Sequence, residues 1–251
     1  MDDIYVSQLT FYFGAMSIMP SESSAPTWGA REISLGVVSY ASIFGMLFGS
    51  ARLMSWLGFD VPTNLKPLLN STLALLLEGL LLLPVWFFAV ARARGTWHTV
   101  GFRRVDVWRG CVLPLLYLSV AFGVSFLWGL VVLWMRWPRQ PLIAPLFGDN
   151  PIAIVLGFVA VCIVAPIAEE TFFRGFILGG LRARFGVLWA LLISSICFML
   201  PHLPITIYPA IFGLGLLLGT LFAQTNSLWP GIILHAAFNT VGFAAQLALS
   251  R

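Results

Sequence analysis

Seven stretches of this chain, at about 33–57, 67–91, 111–135, 151–180, 186–203, 205–223 and 228–249, are apolar over nearly the length a membrane demands. A helix crossing the hydrocarbon layer needs about 20 mainly apolar residues. Inside lipid each backbone N–H and C=O must also find a partner within the protein, which leaves helices as the simplest spanning element. The expected fold is therefore all-α: a polytopic transmembrane helix bundle of about seven helices, within a range of six to eight. The breaks between runs, "GFDVPTNLKP", "RARGTWHTVGFRRVDVWRG", "RWPRQPLIAPLFGDNP", "RARFG", "PHLP" and "QTNSLWP", hold the Gly, Pro, Asn and Arg expected of connections. With 59% of its 251 residues hydrophobic and 10% charged, the chain leaves no room for a separate soluble domain, where about a quarter of residues are charged. It reads as one integrated membrane domain, with 1–148 supplying N-terminal membrane helices and 149–251 a helical core that carries the chemistry.

Thirteen of the 14 basic residues are arginines, and most lie between the apolar runs. That placement suits lipid head groups and membrane topology rather than a nucleic-acid surface. If the spans alternate, Arg31, Arg92, Arg94, Arg103, Arg104, Arg109, Arg182 and Arg184 fall on one side, and Lys66, Arg136, Arg139 and Arg251 on the other. The positive-inside rule then puts the basic 92–110 loop in the cytoplasm. The bias toward arginine fits a GC-rich bacterial genome, so the bacterial plasma membrane is the expected location. Cys111, Cys162 and Cys197 lie in or beside apolar runs without CxxC spacing and read as packing residues. The first 20 residues begin with acids and lack the basic start of a cleaved signal, which suggests an interfacial segment. "LALSR" has no CaaX box. Small-residue pairs Gly45/Gly49, Gly175/Gly179 and Gly215/Gly219 would let helices approach closely.

One run breaks the apolar pattern: "PIAEETFFRGFILGGL" holds Glu169, Glu170 and Arg174. An ionised side chain at the bilayer centre costs about 2.5–3.5 kcal/mol on insertion scales, so these groups need partners. Glu170 and Arg174 are four apart on one helix face and can pair. Glu169 is turned about 100° away, and must be satisfied elsewhere. Two of the three histidines, His202 and His235, lie in the apolar hairpins that follow. Counting about 1.5 Å per residue through the "RARFG" turn brings His202 to the depth of Glu169. In "HAAFN" His235 and Asn239 share a face, and in "FMLPH" Phe198 can hold the ring of His202.

Each feature also has a plain structural reading. A Glu–Arg pair can fix helix packing, and a lone buried histidine is more often hydrogen-bonded packing than chemistry. Together, Glu169, His202, His235 and Asn239 supply the parts for hydrolysis: a carboxylate to take a proton from water, imidazoles to hold that water or donate, and an amide to donate to an oxyanion. Glu78, in "LALLLEGLLLLP", reads as paired with Arg52 of the neighbouring run and stays outside the site. His98 reads as solvated in the Arg-rich loop. Pro201 and Pro204 flank His202 and should break the helix there.

"EETFFR", "FMLPH" and "HAAFN" resemble, in order, the EExxxR, FxxxH and HxxxN motifs of the CPBP family, the CAAX proteases and bacteriocin-processing enzymes also called ABI intramembrane endopeptidases. The similarity runs over roughly Asp149 to Leu249 and includes "TNSLWPGIILHAAFN". It implies that Glu169 activates water together with His202, that His235 and Asn239 stabilise the oxyanion, and that Glu170, Arg174 and Phe198 shape the site. The implied partners are membrane lipids and a membrane-associated peptide or protein substrate. No cofactor is favoured. A divalent metal, zinc on Glu169, His202 and His235, is the alternative that ligand chemistry permits. The expected function is intramembrane peptide-bond hydrolysis, against two rivals: a non-enzymatic scaffold or bacteriocin-immunity factor, and a proton-coupled transporter, for which no inverted repeat is evident.

Overall fold

The computed structural model describes residues 26–138 and 144–250. Among them there is no strand. Three helical runs long enough to cross a membrane come first: α1 (Ala30–Trp56), α2 (Lys66–Arg92) and α3 (Trp108–Trp134). The next apolar run, Pro151–Met199, has 49 residues, which at about 1.5 Å each is far too long for one crossing. It turns at Gly186, whose φ of 74° and ψ of 166° belong to a region essentially reserved for glycine. The run is therefore two arms, α4 (151–185) and α5 (187–199). Ile205–Thr225 (α6) and Trp229–Leu249 (α7) complete the seven helices that the apolar runs predict.

Loop contacts fix which ends lie together. Ser227 donates to the Arg103 carbonyl at 2.7 Å, the Leu228 N–H to the Gly101 carbonyl at 2.8 Å, and Arg182 to the Asn226 amide oxygen at 2.6 Å. The Arg-rich loop and the α4–α5 and α6–α7 turns thus share one end of the bundle. At the opposite end Trp128 donates to the Thr206 carbonyl at 2.7 Å, and the Thr206 hydroxyl to that of Pro138 at 3.1 Å. The basic residues divide between the ends as alternation predicts. Arg139, Arg251 and the interfacial segment expected over the first 20 residues lie outside the described residues.

The second half of α4 is the centre of the bundle, and every residue from Glu170 to Leu178 is buried. Its neighbours reach it through small residues. A β-carbon on Gly175 would lie 2.8 Å from the Val100 carbonyl oxygen, one on Gly180 would lie 2.6 Å from Trp28 Nε1, and one on Gly219 would strike Leu191. Close approach at these positions is a packing requirement. Gly45 and Gly49 differ: nothing lies within 4 Å of either, because α1 leaves the bundle beyond Tyr40 and exposes Met46, Phe48 and Trp56. Their expected packing is not realised within the chain. Large apolar side chains as open as Trp56 at 80% and Trp134 at 81% suit contact with lipid.

Candidate active site

Two stretches of α4, Ala160–Val164 and Glu170–Leu178, are wound as π-helix. Such wider turns gather at functional sites, because they redirect side chains and release backbone carbonyls. The released groups are used here: Trp28 donates to the Phe176 carbonyl at 2.9 Å, Ser194 of α5 to that of Phe173 at 2.7 Å, and Asn239 of α7 to that of Val161 at 2.9 Å.

Arg174 is fully buried on the second stretch. Its Nη1 lies 3.0 Å from Glu170 Oε1, its Nη2 donates to the Gly215 carbonyl at 3.2 Å, and its guanidinium carbon sits 4.3 Å from the centre of the Phe198 ring. Charge, hydrogen bond and ring face together offset the desolvation of the guanidinium. Phe198 is a hub. Its ring meets Phe173 at 5.3 Å, His202 at 5.0 Å and His235 at 5.7 Å between centroids.

Glu170 does more than the sequence reading assigns to it. The oxygen that faces Arg174 also lies 3.2 Å from Nδ1 of the buried His235. A carboxylate beside a guanidinium can only accept, so His235 carries its hydrogen on Nδ1 and turns Nε2 outward. That Nε2 lies 3.8 Å from Oε2 of Glu169, a buried oxygen with no hydrogen-bond partner. The separation is too long for a direct hydrogen bond, yet a water could contact both atoms. His202 is held in the same sense, with Nδ1 2.8 Å from the Phe198 carbonyl, leaving its Nε2 as the acceptor. This contact also satisfies a carbonyl at the end of α5, which stops at Met199 before Pro201. The Leu200 carbonyl is taken by the Tyr208 hydroxyl at 2.9 Å.

The structure thus brings Glu169, Glu170, Arg174, Phe198 and His235 into one connected cluster and joins His202 to it through Phe198. Asn239 is placed against the π-helical Val161 carbonyl. Among the described residues no three His, Cys, Asp or Glu side chains are gathered as a metal site would require, so Glu169, His202 and His235 do not form a ready zinc cage. Glu78 does not pair with Arg52, which is exposed where α1 leaves the bundle. Glu78 Oε2 is buried without a hydrogen-bond partner, within electrostatic reach of Glu169. His98 is exposed, as expected. Gly231 was not legible as a site residue: a β-carbon there would lie 2.8 Å from Glu170 Oε2. Its place four residues before His235, on the same helix face, is the signal that could have found it.

The family model for type II CAAX prenyl endopeptidase Rce1-like proteins matches residues 151–241, from the start of α4 into α7. This segment is accordingly similar to Rce1-like proteins, in keeping with the three motifs, and it lies in an integral membrane protein. Among curated proteins, the chain is 33% identical over 95 residues to a Bacillus subtilis (strain 168) protein named "Putative membrane peptidase YdiL", covering 38% of this chain and 39% of that one. It is 30% identical over 111 residues to an Escherichia coli "Uncharacterized 24.3 kDa protein", covering 42% of this chain and 51% of that one. The chain thus spans only about two fifths to one half of the length of these relatives. No solved structure matches the chain.

Proposed function

We propose that the protein is an intramembrane endopeptidase that hydrolyses a peptide bond of a membrane-associated protein or peptide with water activated by Glu169. The observation that carries this reading is the unpartnered Glu169 oxygen 3.8 Å from a histidine nitrogen whose ring is oriented by Glu170. Glu169 takes a proton from water, while the open Nε2 of His202 helps to orient that water. Attack on the carbonyl carbon builds negative charge on its oxygen. His235, its ring held by Glu170, and the N–H of Asn239 not used by Val161 stabilise that oxygen as donors. The proton held by Glu169 then passes to the leaving amine. Glu170, Arg174 and Phe198 hold the rings in place. This chemistry calls on side chains alone.

The bacterial inner membrane, with the basic 92–110 loop in the cytoplasm, is the proposed location. An apolar groove of about 480 Å³ opens between α3 and α6, lined in part by Phe126, Trp128, Val132, Ile211 and Phe238. Phe238 precedes Asn239, so the groove offers an apolar part of a substrate a seat near the site.

The test compares peptide termini in cells carrying wild type or Glu169→Gln at equal abundance, with wild type repeated under a metal chelator. Termini present with wild type and chelator but lost in Glu169→Gln are expected. Identical termini in all three samples would overturn the peptidase reading, and loss under chelation would overturn chemistry by side chains alone.

A further inference from the structure

Two arginines at the basic end of the bundle are held in place and left without a counter-charge. Both are anchored to the turn between α6 and α7. Arg182, near the end of α4, donates from Nη1 to the Asn226 side-chain oxygen at 2.6 Å, and its guanidinium carbon lies 5.7 Å from the centre of the Phe222 ring. Arg103 is fixed to the next residue of the turn, its carbonyl accepting the Ser227 hydroxyl at 2.7 Å, while the Gly101 carbonyl accepts the Leu228 N–H at 2.8 Å. Its side chain donates from Nε to the His98 carbonyl at 2.9 Å. Consecutive residues, Asn226 and Ser227, thus bring both arginines to one turn, and Arg182 feels the charge of Arg103.

All of these partners are neutral. Among the described residues neither arginine has an ion-pair partner, in contrast to Arg109 and Arg174. The described acids at this end are engaged elsewhere: Glu32 accepts from the Gly29 N–H at 3.0 Å, and Asp106 lies 3.6 Å from Arg109. Nε of Arg182 is buried without a hydrogen-bond partner. A guanidinium presents its donors in a fixed fork that matches the oxygens of a carboxylate or phosphate, and neutral contacts leave its charge unmatched.

The turn stands at the level of lipid head groups. Phe102, beside Arg103, packs edge-on against Trp97 at 5.9 Å and Trp229 at 5.6 Å between centroids, and tryptophans gather where the bilayer meets water. From the turn into the membrane, Trp229 and Ile233 are 43% and 41% exposed, four apart on one face of α7. An occupant with a phosphate at one end and hydrocarbon at the other meets both surfaces, whereas a free anion uses only the first.

We propose that Arg103 and Arg182 bind the phosphate of an anionic phospholipid whose acyl chains run along Trp229 and Ile233. The lipid ties the α6–α7 turn to the Arg-rich loop at the start of the helix that carries His235. In the orientation proposed above it comes from the cytoplasmic leaflet, whose anionic lipids attract basic side chains.

Phosphatidylglycerol and, in parallel, phosphatidylcholine are titrated into the purified full chain in detergent, and lipids bound to the intact protein are counted by native mass spectrometry. Phosphatidylglycerol is expected to bind saturably and ahead of phosphatidylcholine, which carries a phosphate but no net charge. A basic residue at the membrane surface contributes a factor of about five in affinity, so Arg103→Gln and Arg182→Gln should each weaken binding about fivefold. Arg103→Gln keeps the main-chain carbonyl that Ser227 uses, so it reads the charge even where Arg182→Gln loosens the turn. Arg184→Gln removes a charge from an exposed position at the same end and should leave the affinity near the wild-type value. Equal binding of the two lipids would overturn the proposal. So would wild-type affinity in Arg103→Gln, or equal losses in Arg103→Gln and Arg184→Gln, the mark of a diffuse basic surface. Displacement of phosphatidylglycerol by inorganic phosphate, beyond that by chloride at equal ionic strength, would overturn the lipid as occupant in favour of a free anion. Cleavage is not read at any step, so the outcome is independent of the peptidase reading.

Discussion

Replacing Arg174 by methionine tests whether the centre of α4 is held by charge or by packing alone. Methionine fills much of the arginine stem's volume and keeps contact with Phe198, so the substitution mainly removes the guanidinium. What is lost is the 3.0 Å contact with Glu170, the 3.2 Å bond to the Gly215 carbonyl and the stacking 4.3 Å above Phe198. What is left behind is worse: Glu170 is 1% exposed, and its remaining partner, His235, already faces a second glutamate. Removing one partner of a buried pair costs about 3–5 kcal/mol, chiefly because the other charge is stranded. For a chain of this size each kcal/mol moves the melting temperature by about 2–4 °C, so a fall of about 10 °C is expected. Tryptophan fluorescence during heating of the detergent-solubilised protein reads it. The double variant Glu170→Gln/Arg174→Met has no stranded charge and should lose less than the sum of the single variants, with a coupling of about 2 kcal/mol. An Arg174→Met protein melting within about 2 °C of wild type would refute the reasoning, since less than about 1 kcal/mol would then separate the two states.

Two further substitutions test the backbone around the site. Gly231→Ala places a methyl 2.8 Å from Glu170 Oε2, and the carboxylate must move by roughly half an ångström; a misplacement of that order can lower turnover by about 10–100-fold, measured on any terminus identified as a product, and unchanged turnover would show that Glu170 has slack. Gly186→Ala forces a β-carbon into the φ 74°, ψ 166° turn between α4 and α5, and should cost about 1–3 kcal/mol of stability in the same thermal assay, while a neutral result would mean that the turn finds an alanine-compatible form.

The helices were legible because lipid imposes a length, and length survives in a sequence even where partners do not. The turn at Gly186 was legible because "RARFG" interrupts the apolar pattern between the 151–180 and 186–203 runs. The Glu170–Arg174 contact follows from four-residue spacing on a helix, and the Phe198–His202 contact from the same rule. What the sequence concealed depends on more than one helix. The second bond of Glu170, to His235, joins residues 65 apart, and no periodicity predicts it. The Glu78–Arg52 pairing failed because it assumed that α1 stays in the bundle, whereas the helix leaves after Tyr40 and carries Arg52 out with it. The π-helical winding of α4 was likewise invisible, because local sequence does not say which carbonyls a tryptophan or asparagine will reach from another helix.

These placements combine into one electrostatic argument. Three carboxylates, Glu78, Glu169 and Glu170, stand in the middle of the bundle, and one permanent cation, Arg174, is positioned among them. If all three were ionised, two negative charges would remain in a dry interior, where each costs several kcal/mol. Compensation must come from the groups that face them, and the contacts rank which charge is best held. Glu170 lies 3.0 Å from Arg174 Nη1 and 3.2 Å from His235 Nδ1. Glu169 Oε2 and Glu78 Oε2 are buried without a hydrogen-bond partner, and of the two Glu169 has a histidine nitrogen nearby, at 3.8 Å. His235→Ala takes from both Glu169 and Glu170 the ring that faces them and should disturb stability and catalysis together, whereas Glu169→Gln removes the base along with an unpartnered carboxylate and should leave a bundle at least as stable as the wild type. Melting curves of the two variants, compared directly, separate these cases: if the glutamine variant proved the less stable of the two, this ranking of the charges would be wrong.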